Sequence, residues 1–95
     1  MNKKTEIQSA VFERLINHLQ NESSVQNIDL MILAGFCRNC LSKWFQEEAD
    51  NMGEEIDPDS ARELVYGMPY KEWKTLYQKP ATQEQLDQMD ARKNK

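Results

Sequence analysis

The stretch from Asn27 to Trp44, NIDLMILAGFCRNCLSKW, joins the longest uncharged apolar run, Leu30 to Cys37, to both cysteines. Most of its apolar positions recur at steps of three and four, which places them on one stripe of a helix. These positions are Leu30, Leu33, Ala34, Cys37, Leu41 and Trp44. The pattern predicts one continuous central helix from Asn27 to near Asn51. Further apolar side chains lie off the stripe, so we expect this helix to have neighbours on more than one side.

Candidate caps and glycines define the ends and the middle of this predicted helix. Asn27 is favoured as N-cap over Ser24 and Asp29, since all three side chains can accept from early backbone amides. Gly35 lies inside the helix at a cost of about 1 kcal/mol relative to alanine. We expect it to mark a place where another backbone passes close by. Gly53 can supply the left-handed conformation that often closes a helix.

The N-terminal segment of the sequence predicts a first helix that begins at Thr5. The residues Thr5-Glu6-Ile7-Gln8 fit a capping box. Behind them, apolar residues follow the spacing of a buried helix face. They are Phe12, Leu15, Ile16 and Leu19. His18 falls at the edge of that face, and the polar run 20–24 predicts a loop.

Prolines and glycines divide the second half of the chain into short helices. Asp57-Pro58 predicts a helix start, and Gly67 its end after Tyr66. A second short helix is expected between Pro69 and Pro80, and the capping-box sequence TQEQ at 82–85 begins a marginal last helix. No segment alternates apolar and polar residues long enough for a strand. The sequence therefore predicts an all-α fold of two longer and two to three short helices. We expect a single domain over 1–95, with frayed termini at 1–4 and 90–95.

Composition limits the classes of function. The net charge is −4 and the isoelectric point is near 5.0, whereas nucleic-acid binding needs a dense field of Lys and Arg. The one basic cluster, Arg92, Lys93 and Lys95, is interpreted as a solvated end. The longest apolar run is too short to span a bilayer, and no signal-like segment is recognised. We expect a cytoplasmic protein that binds neither nucleic acid nor membrane.

Two long strings of residues resemble a known family. The segment 26–44, which contains QNIDLM and AGFCRNCLSKW, and the segment 61–74, ARELVYGMPYKEWK, are similar to the uncharacterised bacterial domain of unknown function 1244. The likeness covers most of the chain, from about His18 to Thr82. The resemblance implies a short, all-helical, cytoplasmic protein, and it carries no assigned activity and no catalytic residues.

The sequence Cys37-Arg38-Asn39-Cys40 is the one constellation that suggests chemistry. Residues three apart lie on one face of a helix, near enough for both sulfurs to bind one metal ion. A divalent metal such as zinc would need more ligands, and His18 is the candidate third. Two inert core thiols are the favoured interpretation, because free cysteine behaves as a small hydrophobe. A redox pair is the least favoured, because the cysteines are predicted to lie in mid-helix rather than at a helix start.

Other signs of enzymatic chemistry are weak. No nucleophile elbow and no glycine-rich phosphate loop occur in the sequence. The adjacent carboxylates at 47–48 and 54–55 sit among polar neighbours and are interpreted as solvated faces. We therefore favour a protein without enzymatic activity and name no catalytic residue; the alternative is a divalent-metal-binding protein, which could be an enzyme, built on His18, Cys37 and Cys40.

Aromatic side chains concentrate in the second half of the chain. A protein of this size has little interior in which to bury so much aromatic area. We therefore predict a homodimer, an interaction module whose interface lies on the short helices. The candidate interface residues are Tyr66, Met68, Tyr70, Trp73 and Tyr77.

Overall fold

The computed structural model describes residues 2–93, which form six helices and no strand. The helices are α1 (Lys3–Asn21), α2 (Asn27–Ala34), α3 (Arg38–Asn51), α4 (Pro58–Tyr66), α5 (Tyr70–Tyr77) and α6 (Gln83–Lys93). The all-α prediction is confirmed. The predicted set of lengths does not quite match, because the central helix is two helices.

The central helix breaks at Gly35, which the sequence pattern placed in its interior. Gly35 has φ 77°, a left-handed conformation that ends α2. Cys37 then has an extended backbone and is the N-cap of α3. Within residues 2–93, the predicted close approach of another backbone to Gly35 is not seen. The group nearest to Gly35 is instead the side chain of Arg92, whose guanidinium donates to the Ile32 carbonyl at 3.3 Å. The prediction of one continuous helix was therefore wrong. The apolar periodicity continues on both sides of a break of a few residues and does not reveal it.

Two predicted caps are displaced towards the N-terminus. The Asn2 side chain accepts from the Thr5 amide at 2.8 Å, so α1 begins at Lys3. Gln26, not Asn27, caps α2, and its backbone amide donates to the Asp29 carboxylate at 2.9 Å. Asp29 is therefore a capping residue of α2.

The predicted starts in the second half are confirmed. The Asp57 carboxylate accepts from the Ser60 amide and hydroxyl, at 3.1 and 2.6 Å, and these hydrogen bonds lower the pKa of Asp57. Gly67 ends α4 with φ 75°. At α6, the Thr82 hydroxyl accepts from the Gln85 amide, while the Gln85 side chain accepts from the Thr82 amide. Both helices begin where their sequence signals predicted.

The core lies where the C-terminal half of α1, α3, α4 and α5 meet. Its buried apolar side chains are Ile16, Leu19, Leu41, Val65, Tyr66 and Trp73. The most extensive helix pair is α3 with α4, and α2 packs against α6. No helix within residues 2–93 is long and apolar enough to cross a membrane. Of the predicted frayed ends, residues 1, 94 and 95 lie outside the described residues, and fraying of the others stays a prediction.

Candidate functional site

The N-terminal turn of α3, formed by Cys37, Arg38, Asn39 and Cys40, is the candidate site, and we call it the CRNC turn. Because Cys37 is the N-cap, both cysteines lie at the start of a helix. Their sulfur atoms are 3.7 Å apart, and both thiols are free and partly exposed. The mid-helix position inferred from the sequence was wrong. The objection to a redox pair that rested on this position is thereby removed.

Burial dominates the acidity of the first thiol. It raises the pKa of Cys37, outweighing the backbone hydrogen bond from Cys40 that acts in the opposite direction. Near neutral pH this sulfur is therefore mostly a protonated thiol. Deprotonation for metal binding or for nucleophilic attack would be unfavourable there.

The predicted metal site is assembled only in part. Cys37 and Cys40 are brought together, but His18 is exposed on α1. In the part of the chain that the structure describes, no three His, Cys, Asp or Glu side chains form a group able to hold a metal ion. Metal binding through His18, Cys37 and Cys40 stays a prediction.

Arg38 is the most buried charged side chain of the site, with an exposed fraction of 1%. One guanidinium nitrogen, Nη2, donates to the carbonyls of Leu19 and Glu22 at 3.4 and 2.9 Å. The other, Nη1, donates to the Val25 carbonyl at 2.8 Å and the Asn27 side chain at 3.0 Å. Arg38 thus adds side-chain donors to the Leu19 and Glu22 carbonyls, which also accept from the Glu22 and Val25 amides, and it binds the Val25 carbonyl in the loop after α1.

Arg38 also stacks on the core. Its guanidinium carbon lies 5.0 Å from the ring centroid of Trp73, in reach of a cation–π interaction. Burial lowers the pKa of Arg38 from a value far above neutrality, so the group stays cationic. Its partners are carbonyl and amide oxygens, and its Nε is buried without a hydrogen-bond partner. Sequence reasoning missed this role, although an arginine within an otherwise apolar stretch is a usable signal.

Asn39 continues the polar contacts from the CRNC turn to α4 and α5. The Asn27 amide donates to the Tyr66 hydroxyl at 3.0 Å, and this hydroxyl donates to Asn39 Oδ1 at 2.8 Å. The Asn39 amide then donates to the Tyr70 hydroxyl at 3.2 Å. Burial raises the pKa of Tyr66, so its phenol stays protonated. Together with Arg38, these four side chains form one chain of hydrogen bonds, which we call the polar network.

A cleft of about 270 Å³ adjoins the polar network. Gln26 fixes one of its walls, because its side chain donates to the Tyr77 carbonyl at 2.9 Å and accepts from the Lys79 amide at 2.8 Å. Asn27, Asn39 and Tyr70 also line it. Ile28, Pro80 and Ala81 add apolar surface to these amide and hydroxyl groups, and neither cysteine lines the cleft.

The aromatic residues predicted as an interface lie mostly inside the molecule. Tyr66 and Trp73 have exposed fractions of 2% each, with ring centroids 4.9 Å apart. Met68, Tyr70 and Tyr77 are partly buried and pack against the same core. Because the chain buries these rings by clustering them, they offer a partner little surface. The association itself stays a prediction.

Exposed large apolar side chains occur in several parts of the chain, among them Leu33, Met52 and Leu76, and three of them are grouped on α1. Ile7, Val11 and Leu15 have exposed fractions of 61%, 60% and 37%, and residues 2–11 are all exposed. We call these three side chains the α1 stripe. An apolar cleft of about 230 Å³ between α1 and α3 contains Phe12 and Trp44, the latter 49% exposed. Sequence reasoning assigned Leu15 to the buried face and did not single out Ile7 or Val11.

Comparison with known proteins gives a family but no activity. A search of curated proteins finds no match to this chain. A family described as "Protein of unknown function (DUF1244)" matches residues 25–91. The matched segment begins after α1 and includes the CRNC turn, the polar network and most of α6. The chain therefore belongs to the DUF1244 family of proteins of unknown function.

Proposed function

We propose that this protein is a non-enzymatic cytoplasmic interaction module that acts as a homodimer through the α1 stripe. The observation that carries the proposal is the exposure of Ile7, Val11 and Leu15 on a helix whose first half has no buried residue. Large apolar side chains grouped on a surface mark interaction sites more often than isolated ones do. The cytoplasmic location is supported by the two free thiols, which reducing compartments maintain.

The first half of α1 also lacks the packing that normally maintains a helix. Short helices are marginal in water, and most helical stability in proteins comes from an apolar face packed on another element. The Asn2 cap supports the start of α1, but the core contacts begin only near Phe12. A partner that covers the α1 stripe would supply the missing contacts.

A second copy of this chain fits the symmetry of the stripe. Ile7 and Leu15 lie four residues on either side of Val11. A two-fold axis at Val11 would therefore set Ile7 of each copy opposite Leu15 of the other in an antiparallel helix pair. Such isologous contacts are the commonest arrangement of soluble homo-oligomers. The apolar cleft beside Trp44 adjoins the same helix and would extend the interface.

Light scattering coupled to size exclusion, over a dilution series in the micromolar range, tests the proposal. We expect a dimer for the natural chain and a monomer for Val11→Lys, with unchanged helix content because Val11 is exposed. Ala10→Lys is the matched control, since it adds the same charge about 100° around the helix. A natural chain that is monomeric throughout the series, or a Val11→Lys variant that remains dimeric, would overturn the α1 interface.

Divalent-metal binding is the second candidate, and the 3.7 Å approach of the Cys37 and Cys40 sulfurs favours it. A zinc site would need further ligands, from His18 after a rearrangement, from water or from a second copy. Elemental analysis of protein purified without added metal tests it, with Cys37→Ser and Cys40→Ser as variants that should each lose the metal. Less than about one-tenth of a metal equivalent, with no shift in Tm on adding zinc, would exclude a structural zinc site.

A further inference from the structure

The two sulfurs of the CRNC turn are already in contact. A disulfide bond requires two sulfurs about 2.05 Å apart on cysteines whose Cα atoms are close. Cys37 and Cys40 are three residues apart in one helical turn, with their sulfurs at 3.7 Å. Side-chain rotation can therefore bring them to bonding distance without moving one helix relative to another. They are the only cysteines in the sequence, so an intramolecular bond has one pairing.

The neighbouring residues leave this pair free to react. Arg38 and Asn39, which lie between the two cysteines in sequence, direct their side chains into the polar network. Neither thiol belongs to the buried core, and both are partly exposed. Because Cys37 is an N-cap with extended backbone, its side chain lies at the corner between α2 and α3. A small oxidant can approach the pair at this corner without the core opening.

We propose that Cys37 and Cys40 form a reversible intramolecular disulfide by exchange with a low-molecular-weight disulfide of the glutathione class. One protein thiolate attacks the small disulfide, forms a mixed disulfide and releases one small thiol. The second cysteine then attacks the protein sulfur of the mixed disulfide and releases the other small thiol. The two protein thiols lose two electrons and two protons, which the oxidant takes up as two thiols. A dithiol reductant reverses both steps.

Mass spectrometry after acid quenching tests the disulfide. Protein incubated with oxidised glutathione should lose two hydrogen atoms, retain no glutathione and become resistant to alkylation. Its helical circular dichroism should be unchanged, and dithiothreitol should restore both thiols. Cys40→Ser and Cys37→Ser should each stop at one glutathione adduct. Serine is itself a good N-cap, so Cys37→Ser keeps the start of α3.

Three results would overturn the proposal. In the first, the natural chain retains glutathione as the variants do. In the second, non-reducing electrophoresis shows disulfide-linked dimers in place of the internal bond. In the third, the folded protein stays reduced under conditions that oxidise the same chain in urea. The Val11→Lys variant should form the internal disulfide as the natural chain does, so the outcome does not depend on the proposed dimer.

Discussion

The CRNC turn and the first half of α1 are opposite departures from the usual distribution of polar and apolar residues. At the CRNC turn a charged side chain, Arg38, is almost completely buried. On α1, Ile7 and Val11 stand in solvent. Most proteins bury few charges and expose few grouped large apolar side chains, so both regions require an explanation.

Comparing the CRNC turn with the first half of α1 shows which contacts make this fold specific. The buried polar groups of the CRNC turn have partners on α1, α2, α4 and α5, so a single helical turn positions most of the molecule. In the α1 stripe, by contrast, Ile7 and Val11 are exposed and lie outside the core. The residues that match the family follow the same division, because they include the CRNC turn and begin after α1.

The largest difference in the free energy of unfolding is expected between alanine substitutions of the two tryptophans, because one is buried and the other is half exposed. Trp73 is in the core, so Trp73→Ala should lower the free energy of unfolding by about 3–5 kcal/mol. Trp44 is about half exposed, and Trp44→Ala should cost about 1 kcal/mol or less at concentrations where the chain is monomeric. Urea denaturation followed by circular dichroism measures both. Equal costs would mean that the aromatic cluster is not the centre of the core.

The next largest effect is expected at Arg38. Arg38→Ala removes the hydrogen bonds from the guanidinium to the Val25 and Glu22 carbonyls and to Asn27, together with the contact with Trp73, which should cost about 3 kcal/mol. Arg14→Ala, on the exposed surface of α1, is the matched control and should stay within about 0.5 kcal/mol. Chemical denaturation again measures the difference. If the Arg38→Ala variant is as stable as the control, the CRNC turn does not contribute substantially to the stability of the fold.

A smaller loss is expected when one hydroxyl is deleted from the polar network. Tyr66→Phe keeps the ring in the core but leaves the Asn27 amide and Asn39 Oδ1 each without a partner. This should cost about 1–3 kcal/mol. Tyr77→Phe, for which no hydroxyl hydrogen bond is found within residues 2–93, should be near neutral. If both variants have the same thermal stability, the network contributes little to folding.

The smallest effect is expected on the α1 stripe. Ile7→Ser should change the free energy of unfolding of the monomer by no more than about 0.5 kcal/mol, because Ile7 has no core contact. The same variant should weaken the proposed dimer. Denaturation measured at two protein concentrations separates these effects, since only a dimer has concentration-dependent stability. A large loss at the lowest concentration would place Ile7 in an intramolecular contact.

Local signals predicted the all-helical class and several helix ends. Asp57-Pro58, Gly67 and the Thr82 capping box acted as expected, because each depends on a backbone hydrogen bond or torsion angle within a few residues. The same local reasoning failed at Gly35. Periodicity alone could not distinguish a glycine inside a helix from one that ends it, since the apolar spacing continues on both sides.

The candidate site was predicted in composition but not in arrangement. The pairing of Cys37 with Cys40 followed from their spacing, whereas the position of the pair at a helix start did not. Arg38 and Tyr66 were not recognised as partners of other elements, because their hydrogen bonds join residues 11 to 39 positions apart. Such contacts depend on the docking of whole helices, which no short sequence motif records.

The amino-acid sequence alone was enough to predict that the chain is helical, where α4 and α6 begin, and that its two cysteines lie near each other. Each of these properties depends on interactions within about one turn of helix. The packing of the helices was needed to show that Tyr66 and Trp73 fill the core, that Arg38 binds carbonyls at the end of α1, and that the α1 stripe faces solvent. Burial is a property of packed elements, so the same apolar spacing is compatible with a core position for Leu19 and an exposed one for Val11.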